Sequence, residues 1–387
     1  MLIELFPEKV WFIGKKLVPL WFNMSCYQHF FEFLRAGLLG EDCERELTAE
    51  EWAEVYRVAR QQSLLGVIWT VAKDRKLPME LAMRWMSEAE TIRGLNQLLN
   101  DEAARLTKLF AEAGRRSVIL KGQANARLYR DPMSRQSGDI DIWVEGGRES
   151  VTALVKQLGM MVDNPLLKTS YHHLHLPPNE RGVTVEVHFL PSSGNFNPMT
   201  NRRLQRWLGA NIQQSGDQQL EFGVPSTRFA LMMQLAHILH HFLAGGIGLR
   251  QVCDYYWLLQ TSTEEDRHEV AGHLKEFGLL HGAGALMWVL GEVLHLDEKL
   301  MLCNRDDYRG QWMLREIMTG GNFGRYADRQ KHGVLRRVLE GRLRRLKLMR
   351  FDFWEALWVE IKFWKIVVKT LPLRIRYRTL SLRNIKR

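Results

Sequence analysis

The chain has 387 residues, of which 46% are hydrophobic and 25% charged, and it carries a net charge of +10. That balance excludes a disordered chain and leaves room for two or three globular parts around a sizeable core. Four cysteines, Cys26, Cys43, Cys253 and Cys303, show neither a metal-type pair spacing nor a secretory framework, which fits free thiols in a reducing, cytoplasmic compartment.

In chain order, the first 23 residues interleave Glu4, Glu8, Lys9, Lys15 and Lys16 with apolar side chains, a pattern that suits neither a signal peptide nor a membrane span. Patterned helical sequence begins just after Met24, which makes Met24 an alternative functional start and residues 1–23 dispensable. From Tyr27 to Glu112 the spacing predicts helices. Thr48 and Glu51 form a capping-box pattern ahead of Trp52, Val55, Tyr56 and Ala59, and Pro78 suits the first turn of a long helix through Met83, Trp85, Ala89 and Ile92. These stripes read as the core of an N-terminal helical lobe, residues 1–112.

Residues 113–224 read as α/β. The run Val118-Ile119-Leu120 ends in Lys121-Gly122, a helical stretch with Ala124, Leu128 and Tyr129 follows, and Gly138-Asp139-Ile140-Asp141-Ile142-Trp143-Val144 opens the next strand. In an extended strand Asp139 and Asp141 leave one face while Ile140 and Ile142 enter the core. The bland reading of such an Asp-x-Asp is an exposed polar face. The functional one is a cation site, because two carboxylates so close repel each other unless a hard divalent ion with oxygen ligands, such as Mg2+, lies between them. Gly146-Gly147 ends the strand, residues 148–159 read as a helix, and 160–164 and 169–176 as further strands. The stretch Val183 to Phe189 alternates with period two, so Thr184, Glu186 and His188 share one face and Glu186 supplies a third carboxylate, the number a two-metal site uses. His173 and His175 also share a strand face, but no cysteine or acidic ligand lies at ordinary zinc spacing, so zinc is disfavoured there.

From Pro225 the pattern is helical again, residues 225–330 forming a second lobe. Phe229, Met232, Met233, Ala236, Leu239, Phe242 and Leu243 make an apolar stripe, and His237, His240 and His241 lie along one side of the same helix. The glycines of Gly245-Gly246-Ile247-Gly248 follow a helix rather than a strand, so they read as a helix-to-helix turn and not a dinucleotide fingerprint. Asp254 lies one turn beyond Arg250, a spacing open to an i,i+4 salt bridge or to ligand contacts. The tail, residues 331–387, holds seventeen Lys and Arg against four acidic residues, a net of +13, with Phe351, Phe353, Trp354, Trp358, Phe363 and Trp364 interleaved among Lys362, Lys365 and Lys369. Three readings stand: a solvated face packed on the lobes, a contact with an anionic membrane surface, and, with less support for want of a recognition motif, nucleic acid.

Taken together, Leu120-Lys121-Gly122, Tyr129, Arg135, Asp139-Ile140-Asp141-Ile142 and the Glu186-x-His188 strand resemble the uncharacterised nucleotidyltransferases, a branch of the DNA polymerase β-like superfamily. The resemblance covers roughly residues 27–330, and a Lys-Gly stands where the wider superfamily has Gly-Ser. It implies an α+β fold in which a small mixed β-sheet nucleotidyltransferase core is flanked by N-terminal and C-terminal helical lobes. It also implies transfer of a nucleoside monophosphate from an NTP to a hydroxyl-type acceptor, with Asp139, Asp141 and Glu186 holding two Mg2+ ions. Lys121, Gly122 and Arg135 would meet phosphate, and Tyr129 and His188 complete the motif. The branch has a similar histidine-bearing helix followed by Gly-Leu-Arg and Asp, which makes His237, His241, Arg250 and Asp254 candidates for nucleotide or acceptor contacts. The rival expectation is a non-catalytic nucleotide-binding or protein-interaction module. Against it, such a module has no need of three mutually repelling acids.

Overall fold

The computed structural model describes residues 24–161, 170–212, 221–327 and 334–376. The proposed start at Met24 and the reading of residues 1–23 turn on a segment outside these residues. In chain order the elements are α1 (Gln28–Leu39), α2 (Ala49–Gln62), α3 (Leu65–Ala72), α4 (Met79–Glu112), β1 (Ser117–Ile119), α5 (Gln123–Ala126), β2 (Ile140–Val144) and α6 (Gly147–Gln157). Then come β3 (His173–His175), β4 (Val185–His188), α7 (Pro198–Asn211), α8 (Thr227–Ala244), α9 (Leu249–Thr261), α10 (Glu264–His273), α11 (Leu280–Leu294), α12 (Asp307–Gly320), α13 (Val334–Leu348) and α14 (Phe353–Arg376). The fold is α+β with one small mixed sheet.

The sheet runs β1-β2-β4-β3, with β1 antiparallel to β2, β2 parallel to β4, and β3 antiparallel to β4. The register sets Asp141 beside Glu186 and Trp143 beside His188, so the period-two alternation carries across strands. The strand expected at 160–164 falls mainly outside the described residues, and the one expected over 169–176 pairs only at His173–His175.

Local signals explain the helix starts. The Thr48 hydroxyl accepts from the Glu51 N–H while the Glu51 carboxylate accepts from the Thr48 N–H at 2.8 Å, the reciprocal cap expected there. Pro78 caps the 34-residue α4, whose length at 1.5 Å per residue is about 51 Å. That length lets one helix serve two cores. Its N-terminal half buries Trp85 and Ile92 in the helical core, while its C-terminal half buries Leu99, Ala103, Leu106 and Phe110 against Ile140, Ile142 and Val144 of β2. The helices read as two separate lobes share the first of these cores, where Phe33, Trp52 and Ile68 join Phe229, Phe242 and Leu286.

The basic tail is anchored in that core too. Phe351 is buried in it, the Arg344 guanidinium donates to the carbonyls of Phe242 at 2.7 Å and Leu243 at 3.2 Å, and Glu355 accepts from the N–H of Phe196 at 2.7 Å and of Asn197 at 3.2 Å. Glu355→Ala strands those two buried N–H groups and is expected to lower the unfolding free energy by roughly 2–4 kcal/mol. The measurement is a denaturant midpoint shift at unchanged slope.

Candidate active site

Leu120, at the end of β1, donates its N–H to the Asp141 carbonyl at 2.9 Å, which delivers Lys121 to the acidic strand. The next residue, Gly122, turns the chain with φ +64, a conformation that glycine alone adopts freely. Lys121 Nζ then lies 3.0 Å from Asp141 Oδ1, and His188 Nε2 reaches the same oxygen at 3.0 Å and Glu186 at 3.5 Å. Asp141, Glu186 and His188 each bring a ligand atom within 4.8 Å of the others; Asp139, just before β2, belongs to no such cluster among the described residues.

The bland reading of Asp139-x-Asp141 as an exposed polar face does not hold for Asp141, which is buried. Burial alone would raise its pKa, yet the Lys121 ammonium and the His188 hydrogen bond hold the carboxyl well below the usual range. Asp139 moves the other way, because repulsion from Asp141 and partial burial outweigh the pull of Lys121. Burial works against the charged forms of Lys121 and His188, but Asp141 leads the groups that raise both. Asp139 and Asp141 thus move in opposite directions, and of the two Asp139 has its charge less compensated.

One cavity of about 660 Å³ is lined by Lys121, Gly122, Asp139, Asp141, Glu186 and His188 on the sheet side and by His237, His241 and Arg250 on the helical side. Burial and the nearby Lys121 ammonium push His237 well down and His241 to about 3, so both face the cavity as neutral imidazoles near pH 7. His237 Nε2 is 3.5 Å from Lys121 Nζ.

Arg135, Asp254 and Tyr129 are drawn together but are spent on one another. Arg135 Nε and Nη2 donate to the two Asp254 oxygens, each at 2.7 Å, and the Tyr129 hydroxyl donates to Asp254 Oδ1 at 2.7 Å. Arg135 and Asp254 touch the cavity wall while Tyr129 does not line it. The fork of donors expected to meet phosphate is therefore engaged by a carboxylate. The i,i+4 pairing open to Arg250 does not form either, since the planar guanidinium of Arg135 matches Asp254 bidentately and leaves Arg250 to donate to the Gln136 carbonyl. Burial, with repulsion from Arg135, brings Arg250 down to about 10, and its Nε is a buried donor without a hydrogen-bond partner among the described residues.

Sequence reading passed over Phe323. It lines the cavity with a left-handed backbone, φ 55, and meets His241 edge-on at 5.3 Å between ring centroids. Its signal was the flanking glycines of Gly320-Gly321-Asn322-Phe323-Gly324. Gly246 and Gly248 are glycines for the same reason, since a Cβ on either would approach the backbone of Gly324 at 3.1 Å or of Asn322 at 3.0 Å.

A family model described as uncharacterised nucleotidyltransferase matches residues 48–295. No curated protein matches the chain. Among solved structures, the crystal structure of an antigenic nucleotidyltransferase-like protein from Paracoccidioides brasiliensis is similar at 13% identity, covering 54% of this chain and 95% of that chain with a TM-score of 0.35.

The buried Arg135–Asp254 pair generates a stability prediction. Asp254→Ala leaves a buried guanidinium uncompensated and is expected to cost about 3–5 kcal/mol, whereas Arg135→Met combined with Asp254→Leu recovers most of it. Denaturant unfolding of the two variants makes the comparison.

Proposed function

We propose that this chain, which belongs to the uncharacterised nucleotidyltransferase family, moves a nucleoside monophosphate from an NTP to a hydroxyl-type acceptor with release of pyrophosphate. The observation that carries the reading is the meeting of Asp139, Asp141 and Glu186 with Lys121 on the wall of one cavity. Their oxygens are the hard donor set that Mg2+ takes, and the uncompensated charge on Asp139 suits a cation. Asp139, Asp141 and Glu186 would hold two Mg2+ ions. Bound there, Mg2+ supplies charge neutralisation for the triphosphate and a lowered pKa for the attacking hydroxyl.

The protein's own groups do the rest. Lys121 exchanges part of its contact with Asp141 for phosphate oxygen, and Arg250 offers its unpaired Nε from the opposite wall. Glu186 would take the acceptor proton on its carboxylate, with His188 Nε2 3.5 Å away to orient that group. His237 and His241, being neutral, add hydrogen bonds without competing for the anion as fixed charges. Positioning and charge stabilisation carry most of such chemistry.

The second partner in this reading is an anionic membrane surface. Among the described residues no helix is long and apolar enough to cross a membrane. Instead, α14 exposes Trp354, Trp364, Ile366, Val368 and Leu371 beside Lys365 and Lys369, the mix of aromatic, apolar and basic groups that lies in an interface.

Purified protein, each NTP, Mg2+ and a cell extract should yield pyrophosphate and a nucleotidylated product by mass spectrometry. Asp139→Asn and Asp141→Asn are each expected to lower turnover at least about a hundredfold, the scale lost with one preorganised charge-stabilising group. Asp139→Asn should leave the metal-free fold intact or slightly stabilised, since it removes a repelling charge. Wild-type turnover in both variants overturns the catalytic assignment, and NTP binding without any transfer by the wild type leaves a binding module in its place. For the surface, the full chain should co-sediment with anionic but not neutral vesicles and be released by salt. Combining Trp364→Ser, Val368→Ser and Leu371→Ser should weaken that binding, and equal partitioning of the wild type into both vesicle types retires the membrane reading.

A further inference from the structure

Zinc was disfavoured at His173 and His175 because the neighbouring sequence holds no acidic ligand. The β3–β4 ladder supplies one. Its register sets His175 beside Glu186 and His173 beside His188, all four on the face that lines the cavity. His173 Nε2 and His175 Nε2 are 2.8 Å apart, His175 Nδ1 is 3.1 Å from Glu186 Oε1, and His173 Nδ1 is 3.4 Å from Glu186 Oε2. Bonds of about 2.0–2.1 Å from a tetrahedral ion would put donors ~3.3 Å apart; these contacts run through different nitrogens of the two rings, so side-chain rotation has to bring one atom from each group onto a shared ion. Each of the three side chains brings a ligand atom within 4.8 Å of the other two.

We propose that His173, His175 and Glu186 form a further metal site, one that takes a divalent first-row transition ion and shares Glu186 with the hard-ion site of Asp139 and Asp141. Two imidazoles and a carboxylate are a donor set for Zn2+, Mn2+, Fe2+ or Co2+ rather than for Mg2+, whose preference is all-oxygen. The second sphere is in place as well. His173 Nδ1 is 2.9 Å from His172 Nε2, a contact that fixes the ring and turns its other nitrogen toward His175. With three protein ligands the ion keeps open positions toward the cavity, where Glu186 joins it to the proposed nucleotide site.

The inference goes beyond the nucleotidyltransferase reading, and its test needs neither NTP nor acceptor. Metal-free full-length protein is titrated with Co2+ in a hundredfold excess of Mg2+ and followed by visible absorption and calorimetry. One Co2+ per chain should bind with the ligand-field spectrum of mixed nitrogen and oxygen coordination, and Zn2+ should displace it. Loss of a partner outside the ligand shell of a metal costs 10–100-fold in affinity, so loss of a direct ligand in His175→Ala should cost at least about a hundredfold. His175 is 41% exposed, which makes that substitution safe for the fold, whereas His173 is buried. Zn2+ should also raise the melting temperature of the wild type and not that of His175→Ala. Asp139→Asn, outside the cluster, should keep the Co2+ spectrum while losing any Mg2+-dependent transfer, so the two readings fail separately. Absence of Co2+ binding, its displacement by the Mg2+ excess, or equal affinity in wild type and His175→Ala would overturn the site and leave the imidazoles as a hydrogen-bonded wall.

Discussion

A carboxylate as deeply buried as Asp141 has to be met by positive charge, and the strands around it are arranged so that it is. Lone burial of an ion costs several kcal/mol even after relaxation. The β1–β2 pairing carries Lys121 to one side of Asp141, and the parallel β2–β4 pairing carries His188 to the other. Lys121 and His188 hold the acids on one wall, and they hold them unevenly. Asp141 is satisfied by direct contacts, while Asp139 is left with the repulsion. A site built this way tolerates its own charge.

Around that centre, the cavity owes its shape to contacts that face away from any ligand. The Arg135–Asp254–Tyr129 cluster joins the loop before β2 to α9, and the surroundings of Asp254 leave its carboxyl below its ordinary range although burial alone would raise it. The glycines between α8 and α9 let their backbone lie against Asn322 and Gly324, which presents Phe323 to the cavity. Arg135, proposed for phosphate, is held by Asp254 in this cluster, next to Arg250.

The tail belongs to the same construction. Glu355 holds the segment before α7, and Lys362 lies 4.8 Å over the ring of Phe196, which in turn stacks on His240 at 4.2 Å. His240 Nδ1 donates to the Gly194 carbonyl at 2.7 Å. Thus α14 is linked to the cavity-lining His240 through Phe196 on one side and exposes aromatic and basic groups on the other. A surface bound by the exposed side would lie close to the site.

What was legible in the residues were the features that act over one period of a strand or one turn of a helix. The cap at Thr48, the start of α4 at Pro78, the turn at Gly122 and the shared face of Glu186 and His188 all follow from local geometry. Proximity in sequence misled where two like groups competed for one partner: Arg250 is four residues from Asp254, but Arg135, 119 residues away, takes it, because only the packed fold decides which guanidinium meets the carboxylate in plane. The same holds for His173, His175 and Glu186, which no spacing rule connects. Twelve residues lie between the ends of that cluster along the chain, and the antiparallel register closes the gap, since a strand's alternation says which face a side chain takes but not what faces it across the ladder.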